Sequence, residues 1–334
     1  MPRLIRHPSL LVALFLCWLP AIAWANSHPI RETSLPDAID EASGLAYSAR
    51  HPDLLWTHND NINDPGSMER VTPYVHGISG EGRPRARLRI DGVTQRDWES
   101  IDAARLDGEA TLIVADSGDN LDNWPDYVLW FLAEPDSPSG KNADHRVMPQ
   151  ALLRYRYPGG SADTEAMAFD PLTGQILLLT KEERPRLFRL PADARRPFPQ
   201  EPGLSPRERL NSAPVEEAIP VGRMTRLSPT DPINWLLLPL TGSQTNRPTG
   251  MALGPDGRLL AVLTYASVYF FAREPATGWK EAIRRPLASL SLPRIDQWEG
   301  LAFTTDGRHL RIVREGNGPG AMIRLDIPKR ALAP

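Results

Sequence analysis

The chain has 334 residues, 41% of them hydrophobic and 24% charged, with a formal net charge of −3. That balance suits a large globular domain, and it excludes a disordered tail, a membrane helix bundle and a basic nucleic-acid binder. The 34 prolines and 24 glycines exclude long helices and coiled coils, and favour short strands joined by turns.

The first residues read as an address. Arg3 and Arg6 precede an apolar run from Leu10 to Ile22, and Ala23-Trp-Ala25 has the small-residue spacing of a cleavage site. The run falls short of the roughly 20 apolar residues a spanning helix needs. Residues 1–25 are therefore expected to be a signal peptide and 26–334 a single domain, periplasmic or secreted in a bacterium, with no membrane span after removal. The only cysteine, Cys17, lies in the leader, so the mature chain would fold without disulfides.

A short strand is expected near Ile30–Leu35. One pattern then recurs five times: Ser43-Gly-Leu-Ala, Glu99-Ser-Ile-Asp, Glu165-Ala-Met-Ala, Thr249-Gly-Met-Ala and Glu299-Gly-Leu-Ala. An oxygen-bearing residue precedes a small one, then an aliphatic one. A turn follows in four of them, as at Leu106-Asp-Gly108, Asp170–Gly174, Pro255-Asp-Gly257 and Thr305-Asp-Gly307. Apolar strands come next at 54–57, 111–115, 176–180, 259–264 and 310–313, and third strands at 127–132, 186–190, 268–271 and 322–327. Units of three or four strands repeated in line predict an all-β fold, the β-propeller.

The repeated position advances by 56, 66, 84 and 50 residues, which gives five blades. The N-terminal strand is expected to complete the last blade and so remove the open edge. The long interval holds a proline-rich insertion near 191–214. A sixth blade around Asn234–Leu240 is the alternative.

The first strand of each propeller blade lines the central channel. Ser43, Glu99, Glu165, Thr249 and Glu299 are therefore expected on the axis, where three converging carboxylates would repel one another unless protonated or neutralised. A hard cation with oxygen ligands meets that need, and these five are candidate ligands for Ca2+. A hydrated channel without metal is the plainer alternative. Ser, Glu, Glu, Ser/Thr, Glu in this order, with Trp298-Glu-Gly-Leu301 in the last blade, resembles the calcium-activated nucleotidase (apyrase) family. Asp97-Trp-Glu-Ser-Ile-Asp102 with Ala115-Asp-Ser-Gly-Asp-Asn120 resembles secreted bacterial phytase-like esterase-domain propellers. The resemblance implies a five-bladed propeller with axial calcium.

Residues just past each second strand should sit at one mouth of the channel. His58, Asp60, Asp116, Lys181 and Arg314 are candidate catalytic groups there, with a general base among His58, Asp60 and Asp116. Asp119, Asn120, Glu182, Arg184, Tyr265 and Glu315 are candidate substrate contacts. An axial cation with Lys181, Arg184 and Arg314 nearby would favour a small phosphate-bearing substrate, hence a calcium-dependent phosphohydrolase. The alternative is a non-catalytic scaffold with structural calcium that binds a protein or sugar partner. Arg83, Arg85, Arg87 and Arg89 alternate on one strand face and predict a solvated outer edge.

Overall fold

Strand pairing groups the chain into five sheets in sequence order. The computed structural model describes residues 30–60, 72–136, 143–228, 244–274, 277–292, 296–316 and 319–332. Residues 1–25 and the stretch Asn234–Leu240 lie outside them. The chain divides into the units Met1–Ile30 and Arg31–Pro334, and the sheets belong to the second.

Blade 1 runs Ala42–Tyr47, Leu54–Asn59, Tyr74–Ser79 and Pro84–Ile90, each strand antiparallel to the last. Blade 2 uses Trp98–Leu106, Glu109–Asp116, Tyr127–Ala133 and Ala151–Arg156. Blade 3 uses Thr164–Asp170, Gln175–Thr180, Arg186–Pro191 and Ile219–Arg223, and blade 4 uses Gly250–Leu253, Leu259–Leu263, Ser267–Ala272 and Ala288–Ser291. Blade 5 has Trp298–Phe303, His309–Arg314 and Ala321–Asp326, and its outer strand is Thr33–Ser34, paired with Met322 and Ala321. The first strands touch in a closed circle, blade 1 against 2, 2 against 3, 3 against 4, 4 against 5 and 5 against 1. The fold is a five-bladed β-propeller shut by an N-terminal strand, as the repeat predicts.

The core is divided into five wedges, one between each pair of neighbouring blades. Trp56, Trp98, Val114 and Trp130 fill the wedge between blades 1 and 2, and Ile113, Tyr155, Met167 and Leu178 that between 2 and 3. Leu177, Met251 and Phe271 pack between blades 3 and 4, Phe270, Leu301 and Ile323 between 4 and 5, and Leu45, Leu55 and Met322 between 5 and 1. Strands buried on both faces read as nearly unbroken apolar runs, which is why Ile176–Leu179 and Leu259–Leu263 stand out in the sequence. Polar staples cross some of the same seams. Glu134 takes the Trp56 indole N–H at 3.3 Å and the Ala49 N–H at 2.7 Å. Asp170 of blade 3 binds the Arg273 guanidinium and, at 3.1 Å, the Trp279 indole.

One expectation about the outside differs from what forms. The arginine-bearing strand Pro84–Ile90 is not an edge, because Ala143–Val147 pairs with it in parallel and Asp144 binds Arg87 through two bonds of 2.7 Å. The proline-rich insertion near 191–214 packs along blade 2. Arg196–Pro197 and Val215–Glu217 both add to Ala151–Arg156, and the intervening helix Pro206–Asn211 starts on a Ser205/Glu208 capping box. Phe198, Leu210 and Ala213 from this segment complete the wedge between blades 1 and 2.

Candidate functional site: the acidic mouth of the channel

The repeated motif has a local geometric cause. In four blades the ladder between first and second strands slips at that position, between Ser43 and Leu45, Trp98 and Ser100, Thr164 and Ala166, and Trp298 and Gly300. A bulge leaves one residue unpaired and bends its strand, which re-aims a side chain. Glu99, Glu165 and Glu299 are the unpaired residues, and Gly44, at a φ of +82°, takes that place beside Ser43. In blade 4 Thr249 precedes the first paired residue, with its N–H donating to the Leu263 carbonyl at 3.0 Å. The small residue that follows marks close contact between neighbouring first strands. A Cβ on Gly44 would lie 2.8 Å from the Ile101 nitrogen, and one on Gly300 would lie 2.6 Å from the Gly44 carbonyl carbon.

On the side of blades 1 and 2, the carboxylate oxygens of Asp60, Asp97 and Glu99 lie within 4.8 Å of one another. Ser43 Oγ donates to Glu99 Oε2 at 3.1 Å. Asp97 and Glu99 are buried, Asp97 with no exposure at all. Neither Asp97 oxygen accepts from a nitrogen or hydroxyl donor among the described residues, and its carboxyl neighbour is Asp60. Burial first, then the neighbouring Asp60, pushes the Asp97 carboxyl far above the usual carboxylate range. Glu99 is raised for the same two reasons, with Glu165 and Glu299 adding to the repulsion. Asp97 is fixed by its own backbone, whose N–H donates to Asp116 at 2.9 Å and whose carbonyl accepts from Ser117 and Gly118 at 3.1 and 3.2 Å. Any Cβ on Gly118 would lie 2.4 Å from the Asp97 carboxyl, so this loop closes on the acids only because glycine stands there.

On the side of blades 3 to 5 the acids are already matched. Lys181 Nζ binds the Glu165 carboxylate in a buried ion pair. It also donates to the Tyr265 hydroxyl at 3.3 Å, and that hydroxyl donates to Glu299 Oε1 at 3.0 Å. The two acids are still raised by burial, the effect on Glu165 being reduced by the adjacent ammonium. Thr249 Oγ1 donates to the Trp298 carbonyl at 2.6 Å. One oxygen, Glu165 Oε2, is buried without a partner.

The remaining candidates separate by environment. Asp116 is buried against the Arg96 guanidinium at 3.2 Å. His58 is fully buried with its ring edge on Trp98, its Nε2 has no partner, and burial holds it neutral with a pKa lowered to about 4. Asp119 anchors its own loop, accepting from Asn123 N–H at 2.6 Å and from the Tyr127 hydroxyl at 2.8 Å. Glu182 pairs with Arg186, while Arg184 is exposed. Arg314 binds Glu32 at 2.7 Å and Asp296 at 3.5 Å, and Glu315 accepts from Gln297. An open cavity of about 480 Å³ stands over the lysine side, lined by Asn120, Lys181, Gln244, Thr245, Tyr265, Asp296 and Gln297. Lys181 and Tyr265 therefore connect the cavity to the axial acids.

The donor set suits a hard cation. It is all oxygen, it carries excess negative charge, and it includes a buried carboxylate with no donor. Asp60, Asp97 and Glu99, with Ser43 beside them, could hold such an ion. Asp97 carried no role in the sequence reading; the available signal was its place two residues before the unpaired Glu99. No protein-family model matches the chain and no curated protein matches it.

Proposed function

We propose that this chain is an extracytoplasmic calcium-binding propeller that takes Ca2+ at Asp60, Asp97 and Glu99, with Ser43 beside them, and hydrolyses a phosphate-bearing ligand at that mouth. The observation that carries the reading is Asp97, a buried carboxyl that meets no donor among the described residues and lies beside two more acids. An isolated buried carboxylate costs far more free energy than a domain can spare, so protonation or a cation must offset it. A bound ion would supply the positive centre to which a phosphate is drawn. Lys181 and Arg314 are already engaged by Glu165, Glu32 and Asp296, which leaves the amides of Asn120 and Gln244 to orient the ligand. The same engagement of the rim cations favours a second reading, a non-catalytic scaffold whose ion is structural.

Calorimetric titration of the metal-stripped protein with Ca2+, Mg2+ and Mn2+ tests the ion, and a screen of phosphate esters and nucleotides tests the chemistry. Saturable Ca2+ binding with Ca2+-dependent phosphate release supports the enzyme. Binding without turnover of any phosphate ester supports the scaffold. No binding of any of the three ions overturns both.

A further inference from the structure

The ring of axial acids is larger than the set nominated for calcium, and its second half contains a cation that belongs to the chain. We infer that Lys181 is a tethered counter-ion standing in a second divalent-cation position between Glu165 and Glu299, and that it limits the native mouth to one ion. The inference rests on the calcium reading of the Asp60, Asp97 and Glu99 side.

Three observations carry it. Lys181 is buried and its ammonium contacts Glu165 directly. The Tyr265 hydroxyl extends that contact to Glu299, accepting from Lys181 at 3.3 Å and donating to Glu299 at 3.0 Å. The two glutamates therefore share one positive charge through a continuous hydrogen-bonded chain. Glu165 Oε2 nevertheless stays buried and unpartnered, on a residue only 2% exposed. An ammonium has three donors but is a single point charge at one end of a flexible stem. It satisfies one oxygen of Glu165 and leaves the other open to a second ligand. With the lysine removed, the buried acids Glu165 and Glu299 would lose the ammonium that offsets their charge, and a hard cation would suit the oxygens left behind.

The test is Ca2+ stoichiometry and affinity by calorimetry in wild type, Lys181→Met and Lys181→Arg. The expected result is one ion in wild type and in Lys181→Arg, and two in Lys181→Met, with a larger Ca2+-dependent rise in melting temperature in the last. One ion in Lys181→Met at wild-type affinity would overturn the inference and leave the calcium reading standing. No ion in wild type would overturn both. Where Lys181→Met folds poorly, the double variant Lys181→Met/Glu165→Gln removes both charges of the pair together. It is expected to fold, to bind one ion and to show no second site. Two ions in the double variant would place the extra site away from Glu165 and count against the inference.

Discussion

The two halves of the channel mouth hold similar side chains and solve the same problem differently. Across blades 3 to 5, Glu165 and Glu299 are joined through Lys181 and Tyr265, so buried acid is met by buried base and hydroxyl. Across blades 1 and 2, Asp60, Asp97 and Glu99 are gathered with a serine hydroxyl, and no lysine or arginine among the described residues pairs with Asp97 or Glu99. The contrast teaches that a repeat supplying one oxygen-bearing side chain per blade does not make a symmetric site. What decides the chemistry is the residue just past the second strand, lysine in blade 3 and aspartate in blade 1.

Replacing Asp97 should break the contrast most completely. In Asp97→Asn the Ca2+-linked gain in stability should vanish, a gain of about 2.7 kcal/mol in wild type at a hundredfold excess of ion over Kd. The same variant should melt above wild type in EDTA at neutral pH, because folding no longer has to draw a proton onto a buried carboxyl that the unfolded chain holds ionised. Melting curves with and without Ca2+ check both, and an unchanged Ca2+ response would remove Asp97 from the site.

Gly118→Ala should act next. A methyl 2.4 Å from the Asp97 carboxyl forces the loop away, costing roughly 1–3 kcal/mol and weakening Ca2+ about tenfold. Chemical denaturation and calorimetry on one preparation separate the two effects.

A pH series sharpens the contrast without mutation. Asp97 and Glu165 are pushed up to about 9 and about 8, so the folded state holds protons that the unfolded state has released. Their stability contribution is present at low pH and lost as pH rises through those values. His58 and His76, lowered to about 4, act oppositely, stabilising more as pH rises from 4 to the ordinary histidine range. Between pH 7 and 9 the carboxyls act alone, so the metal-free protein should lose stability over that window and Ca2+ should reduce the loss. A flat profile in EDTA would contradict the buried-acid picture.

Tyr265→Phe should have the smallest effect. It removes one hydrogen bond to Glu299, about 1 kcal/mol, and should leave Ca2+ affinity within twofold because the tyrosine lies on the lysine side. A much larger drop in affinity would mean that the halves are not separate.

The ring was legible because its parts are local. Oxygen, small residue and aliphatic residue correspond to the bulge, the contact between first strands and the wedge core, and each is fixed within a few positions. The closing strand followed from the leftover length at the two ends. Partnerships between blades were not legible. That Lys181 reaches Tyr265, or that Asp97 joins Asp60, depends on bulge geometry and ring closure, which no spacing encodes. Arg87 shows the same limit, since its cover comes from Asp144 in a strand added by a later stretch of chain.

Closure rests on very little strand. Thr33 and Ser34 are the only residues of the outer strand of blade 5, and the Glu32–Arg314 pair beside them joins positions 282 apart in sequence. Pairs so distant form late, because local sheets gain contacts before a long loop must be closed. During synthesis the first strand to emerge must wait for the last blade. Glu299 arrives with that blade, so the hydrogen-bonded chain from Glu165 through Lys181 and Tyr265 to Glu299 is complete only as the ring shuts, whereas Asp60, Asp97 and Glu99 are all present once blade 2 is made.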